Sequence, residues 1–431
     1  MSRMSLTEQM TLLAQRAKAA ARRLATLSHA EKDLCLRAMA AAIEANGQSI
    51  KDANARDLEV AAGTGLGKAM LERLELNDQR IAAMAQGVRE VAGLPDPVGR
   101  LLDERTRPNG LKLRKVTCPL GVVVIIYESR PNVTADAAGL CFKAGSATIL
   151  RGGKEAMASN QTISKIMVEA AQRALPGFPA DAIQVVATTD RAAIPELLSL
   201  TQYIDLCMPR GGEGLIRTVT ECSKVPVIKH YKGVCHVYVD AAADLEMAKA
   251  IALNAKCQRP GVCNAMETLL VDQAVAPQFL QLVQPAFAEF KVELRADPAA
   301  FALLSCSRRV PHPALGPAAE ADWSTEYNDY ILNVRVVDGL RPAIDHINTY
   351  GSGHSDSIVT KDEARARQFM QEVDSAAVYW NASTRFTDGG EFGMGAEIGI
   401  STDKIGARGP MGLDELVTYK WHCLGTGQVR G

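Results

Sequence analysis

The chain has 431 residues, about three times a typical domain, with 47% hydrophobic and 23% charged residues. Its 48 Lys plus Arg against 49 Asp plus Glu exclude a nucleic-acid partner gripped by a broad positive field. No apolar run reaches the roughly 18 residues of a membrane span, and the opening stretch, polar at every turn, reads as an amphipathic helix and not a signal peptide.

Residues 5–95 are expected to be helical throughout. Ser28 and Glu31 have capping-box spacing, and Asn46-Gly47 supplies a stop. Leu101–Arg105 and Leu111–Cys118 flank Pro108-Asn109-Gly110, a hairpin signal. Short apolar strands then follow at Gly121–Tyr127, Thr148–Arg151, Ile183–Ala187 and Tyr203–Cys207, separated by helices near 133–143, 155–174, 191–200 and 213–222. Near-continuous apolar strands with helical crossovers predict a parallel, doubly wound α/β sheet of the nucleotide-binding kind. A second α/β set begins with Val234–Val239, a helix to about Asn254, Glu267–Val271 and a helix near 276–290. The expected division is 1–234 for nucleotide binding, 235–389 for catalysis and 390–431 as a C-terminal arm for oligomerisation that returns to the first domain.

Ten cysteines are scattered with no CxxC pair, which predicts reduced thiols in a cytoplasmic protein. Cys263 sits at a Gly-Val turn between a predicted helix and an apolar strand, where a thiol can be exposed beside backbone N–H groups able to hold an oxyanion. Lys256 and Arg259 could favour its thiolate. The competing reading is a small buried hydrophobe, which is also the expectation for Cys257, taken as mid-helix. A zinc site made of Cys235, His236, Cys257 and Cys263 matches no familiar ligand spacing, so no metal is expected.

Two segments suit a dinucleotide. Gly211 and Gly212 lie at a predicted strand-to-helix turn, where backbone N–H groups can approach phosphates, although no GxGxxG is present. Arg151 and Lys154 lie on the loop leaving another strand and could hold a 2′-phosphate; the alternative is two solvated charges.

Taken together, Pro119–Asn132, Leu150–Ala156, Pro209–Gly212, Gln258–Asn264, Asp345–His354, Asn381–Asp388, Gly395–Thr402 and Ala407–Gly412 resemble the aldehyde dehydrogenase superfamily. Within it they are most similar to the γ-glutamyl phosphate reductase family. The resemblance runs from about Leu111 to Trp421. It implies an aldehyde dehydrogenase-like fold with a nucleotide-binding domain, an α/β catalytic domain and a small oligomerisation element. It also implies NADPH as cofactor, Cys263 as nucleophile and a small-molecule acyl phosphate as substrate. L-glutamyl 5-phosphate would be reduced to L-glutamate 5-semialdehyde through a cysteine thioester, in L-proline biosynthesis. Lys154 stands where NAD-preferring relatives carry an acid. Asn381 and Arg385, then Arg130 and Asn132, are the nominated substrate ligands, each equally able to be structural. The resemblance implies a homo-oligomer and leaves room for association with glutamate 5-kinase.

Hydrolytic relatives carry a glutamate before a Gly-Gly to activate water; the stretch Ile228–Gly233 has no carboxylate, while His230 could act as an acid or base or be structural. The alternatives are a hydrolytic NAD(P)-dependent aldehyde dehydrogenase and a non-catalytic partner of the preceding kinase. Gly406, where the family often has histidine, and Trp380 depart from the pattern and bear on local packing or subunit contact.

Overall fold

A computed structural model describes residues 4–63, 65, 67–306 and 314–430. The chain divides into two compact units: residues 1–229, 393–399 and 411–431 in the first, and 230–392 with 400–410 in the second. The boundary falls five residues before the expected one. The C-terminal segment is shared between the units and is no separate domain.

The first unit opens with α1 (Leu6–Leu24), α2 (His29–Ala45), α3 (Gly47–Gly63), α4 (Lys68–Leu74) and α5 (Asp78–Gly93). Ser28 and Glu31 form the expected capping box, each satisfying an orphan donor of the other's backbone. The strands β1 (Leu101–Thr106) and β2 (Lys112–Pro119) pair antiparallel across the predicted turn. A final strand, Val417–Leu424, pairs with the other edge of β2. This three-stranded sheet leaves Leu101, Leu102, Tyr419, Trp421 and Leu424 exposed.

The parallel sheet of this unit uses β3 (Val122–Tyr127), β4 (Ala147–Arg151), β5 (Ile183–Val185) and β6 (Leu206–Arg210) in the order β5-β4-β3-β6. Between them lie α6 (Asn132–Lys143), α7 (Met157–Ala174) and α8 (Ala193–Leu198), and α9 (Glu213–Cys222) follows β6. Every residue of β3 and β4 is buried, as a sheet covered on both faces requires. Strand β6 begins three residues later than expected. The amides of Thr201, Tyr203 and Ile204 bond back to Ser199 and Leu200, which holds this stretch in a turn after α8. Pro209 is accommodated because β6 is the edge of the sheet, where a missing N–H costs least.

The second unit contains β7 (Cys235–Val239), α10 (Leu245–Cys257), β8 (Met266–Asp272), α11 (Ala276–Glu289), β9 (Glu293–Ala296), α12 (Pro298–Ser305) and β10 (Leu315–Pro317). It continues with β11 (Ile331–Val337), α13 (Leu340–Tyr350), β12 (Ser355–Val359), α14 (Glu363–Glu372) and β13 (Ala377–Trp380). All seven strands run parallel in the order β10-β9-β11-β8-β7-β12-β13. The two-residue strand period sorts the core. Val237, Val239, Leu269 and Val271 pack with Ala252, Phe279 and Val283 on one face, while Tyr238, Leu270 and Ile358 pack with Ile344, Ile347 and Phe369 on the other. At about 25 cal/mol per Å2 of apolar surface buried, this double cover is what holds the strand ends, and the loops before them, in fixed register.

Candidate active site

Cys263 lies in the loop from α10 to β8, at the amino end of the parallel strands. Lys256, in the last turn of α10, and Glu267, the second residue of β8, bracket this loop with a fully buried ion pair, Nζ to Oε2 2.7 Å. Burial pushes the Glu267 carboxyl up to about 7, opposed by the Lys256 charge. A pair of this kind stays in place because removing one partner strands a buried charge, at a cost of roughly 3–5 kcal/mol. Lys256 is thus committed to Glu267, which corrects the expectation that it serves the thiol.

The backbone of Cys263 is pressed against Gly233. A Cβ built on Gly233 would lie 1.8 Å from the Cys263 carbonyl oxygen and 2.6 Å from its Cα. Only glycine permits that approach. The Gly233 N–H donates to Glu326 Oε1 at 2.8 Å, and the Cys263 carbonyl accepts from the Cys235 thiol at 3.3 Å. Cys235 is fully buried, and burial raises its thiol well above the usual range, so it persists as a donor.

A second clasp comes from the turn after β13. Thr384 Oγ1 donates to the Asn264 carbonyl at 2.7 Å, and Asn264 Nδ2 donates to the Thr387 carbonyl at 2.9 Å. Arg385 donates through Nε to Gln258 Oε1 at 2.9 Å and through its guanidinium to Asn264 Oδ1. Burial lowers the Arg385 pKa first, the nearby Arg259 second, while Cys263 acts in the opposite sense. Arg385 and Arg259 therefore bring two positive charges to the loop.

Two histidines complete the neighbourhood, and sequence reasoning gave a role to neither His354 nor the pairing. The donor atoms of His230, Cys263 and His354 lie within 4.8 Å of one another. His230 Nδ1 contacts the Ile400 carbonyl at 2.8 Å. A carbonyl only accepts, so Nδ1 carries a proton. His354 Nδ1 lies 2.8 Å from Ser355 Oγ, whose proton goes to Thr387 Oγ1 at 2.6 Å. His354 Nδ1 therefore also carries a proton. His354 is fully buried, its Nε2 has no hydrogen-bond partner among the described residues, and burial foremost, with neighbouring His230 second, lowers its pKa to about 3.

The remaining nominated residues are placed as follows. Cys257 is the last residue of α10 and not mid-helix; burial raises its thiol to about 11, and it stays a packing residue. Asn381 adopts a left-handed φ of 57° with its amide engaged by the Thr360 backbone, Oδ1 accepting at 2.9 Å and Nδ2 donating at 3.0 Å. Its side chain holds the end of β13. Trp380 likewise donates to the Thr360 carbonyl at 2.9 Å, and Gly406, at φ 92°, sits where a histidine would be strained. His236 pairs with Asp356 at 2.8 Å instead of joining the cysteines, so the four-residue zinc reading does not assemble. Arg130 and Asn132 belong to the first unit, Arg130 exposed and Asn132 donating to Asp136 at 2.9 Å.

The first unit also carries the nominated cofactor residues. Lys154 is exposed at the start of a single 3-10 turn after β4, as a 2′-phosphate ligand must be. Arg151 is buried instead: its guanidinium donates to the Gly152 carbonyl and to the Thr189 carbonyl at 3.1 Å, and burial lowers its pKa. It braces two loops and does not present a surface charge. At the turn into α9, the Gly212 N–H donates to Glu128 at 3.0 Å, and a Cβ on Gly211 would meet the same carboxylate at 2.5 Å. An anion already sits on that helix start, so a phosphate there requires Glu128 to move away. Of these residues, Lys154 presents an exposed cation, whereas the Gly-Gly turn could take a phosphate only with that rearrangement.

A model of the aldehyde dehydrogenase family matches residues 3–305. The chain belongs to that family. It is 54% identical to a gamma-glutamyl phosphate reductase of Moorella thermoacetica over 417 residues, covering 96% of this chain and 97% of the relative. It is 52% identical to one of Paramagnetospirillum magneticum over 430 residues, covering 100% and 99%. The crystal structure of the Thermotoga maritima gamma-glutamyl phosphate reductase superposes with a TM-score of 0.94 at 41% identity, over 98% of this chain and 100% of that one. Membership in this reductase branch of the aldehyde dehydrogenase family carries use of a nicotinamide cofactor.

The Gly233 contact gives a sharp expectation. Gly233→Ala should keep the far-ultraviolet circular dichroism of the wild type while lowering turnover about 100-fold, the loss expected when a reacting group is displaced by about 1 Å. Wild-type turnover in that variant would show that the position of the Cys263 backbone does not matter.

Proposed function

We propose that the chain reduces L-glutamyl 5-phosphate to L-glutamate 5-semialdehyde with NADPH, releasing phosphate, as a step of L-proline biosynthesis. The observation that carries this reading is the half-exposed Cys263 on a loop pinned at both ends, in a chain more than half identical along its length to a gamma-glutamyl phosphate reductase.

The Cys263 sulfur attacks the acyl carbon, the carbon–oxygen bond to phosphate breaks, and inorganic phosphate leaves with the electron pair. The acyl group remains on sulfur as a thioester. The thiol proton passes to His230, whose ring is oriented by the Nδ1 contact with the Ile400 carbonyl. When bound, the dinucleotide supplies the hydride that brings the thioester to the aldehyde oxidation level. Collapse of the resulting hemithioacetal frees the aldehyde and restores the thiol. Arg385 and Arg259 supply positive charge to the phosphate and carboxylate groups of the substrate. Two carboxylates near the loop are engaged, Glu267 by Lys256 and Glu326 by the Gly233 amide. Neither is offered to a water, and the thioester is spared hydrolysis.

In the reverse direction, semialdehyde and NADP should give NADPH only when inorganic phosphate is added. Equal rates in phosphate-free buffer would move the assignment to a hydrolytic dehydrogenase. Cys263→Ala should lower the rate roughly 10^4-fold or more, whereas Cys257→Ala leaves it unchanged.

Lys154 carries the choice of NADPH over NADH, since a lysine attracts the 2′-phosphate that an acid would repel. Lys154→Ala should raise KM for NADPH about tenfold, as loss of one charge-assisted hydrogen bond worth roughly 1.5 kcal/mol requires, with KM for NADH unaltered. An equal change for both cofactors would remove Lys154 from this role.

A further inference from the structure

We propose that His230, Cys263 and His354 form a zinc site, and that a bound zinc ion takes the Cys263 sulfur as a ligand and withholds it from acylation.

The donor set is a thiol and two imidazoles whose donor atoms lie within 4.8 Å of one another. Tetrahedral zinc, with Zn–S about 2.3 Å and Zn–N about 2.0 Å, places its ligands about 3.5 Å apart. The three groups need to close by about an ångström, which side-chain rotation on a loop can provide. One sulfur and two nitrogens suit Zn2+ and not Mg2+ or Ca2+, which take oxygen ligands.

The surroundings of the two rings make the case stronger than the distances. A metal-binding histidine ordinarily donates its other ring N–H to a carbonyl or hydroxyl, which fixes ring and tautomer. His230 has the Ile400 carbonyl in that position and His354 has Ser355 Oγ, itself held by Thr387. His354 Nε2 is buried with no hydrogen-bond partner among the described residues, a position that otherwise costs free energy. A metal ion would satisfy it.

Three protein ligands leave the fourth position to water. Loading balances as Zn2+ plus one water plus the Cys263 thiol and two neutral imidazoles, giving a zinc thiolate complex and one released proton. No redox change is involved, and a chelator reverses it. Binding is independent of the catalytic assignment of Cys263; the inhibition rests on that assignment.

The test uses the full chain, stripped with chelator and dialysed against ZnCl2 alone, with bound zinc measured by atomic absorption. One zinc per chain is expected, lost in Cys263→Ser and in His354→Gln, retained in Cys257→Ala, and weakened about tenfold in Ser355→Ala, which removes no ligand but takes away the hydroxyl that orients His354. Substituted Co2+ should show a thiolate-to-metal charge-transfer band that Cys263→Ser abolishes, a readout that needs no substrate. If His354→Gln does not fold, His230→Gln takes its place. Absence of stoichiometric binding, or equal binding by Cys263→Ser, overturns the site. Binding without slower alkylation of Cys263 by iodoacetamide overturns the claim that zinc withholds the sulfur. Zinc bound as expected with no reductase activity in the metal-free chain leaves the site standing and sinks the proposed function.

Discussion

The contact between Gly233 and the backbone of Cys263 is the constraint on which the site depends. Two segments approach so closely that one of them can carry no side chain, and this fixes where the cysteine can be. The Lys256–Glu267 pair then holds the loop's flanks, and the turn from Ser383 to Thr387 clasps its far side through Asn264. Each of these contacts satisfies backbone or buried polar groups that an irregular loop would otherwise leave stranded. The Cys263 sulfur is presented by a segment without regular structure that is nonetheless held at both flanks and along its length.

The position in the sheet is also instructive. Ligands of open parallel sheets usually gather at the carboxyl ends of strands. Here the cysteine precedes β8, Gly233 and Cys235 lie at the start of β7, and His354 directly precedes β12. The amino ends of three neighbouring strands converge because β7 sits between β8 and β12 in the sheet order. The loop that follows β13 returns along β12, from Ala382 accepting at Ser357 to Thr387 accepting at Ser355, and so delivers Arg385 to the same end.

Much of this was legible in the sequence where the signal is local. The apolar runs of β3 and β4, the Pro-Asn-Gly hairpin, the capping box at Ser28 and the loop around Cys263 all depend on residues near in the chain. What could not be read depends on distant segments. The burial of Arg151, the capture of Gly212 by Glu128 and the convergence of His230 and His354 on Cys263 arise from packing between elements far apart in sequence. Asn381 looked like a ligand because it is polar and follows a strand, yet its left-handed backbone marks a structural turn. The isolated glycine at 233, between a lysine and a valine, was the one local hint of a close backbone approach, and it is easily passed over.

The central claim is that the Cys263 sulfur carries the acyl group. Acid quenching of the protein after incubation with freshly generated L-glutamyl 5-phosphate, without reductant, followed by peptide mass spectrometry, tests this most directly. The account predicts one glutamyl group on the peptide containing Cys263, removable by hydroxylamine. An adduct on another residue, or none while a single turnover still forms semialdehyde once reductant is added, would contradict it.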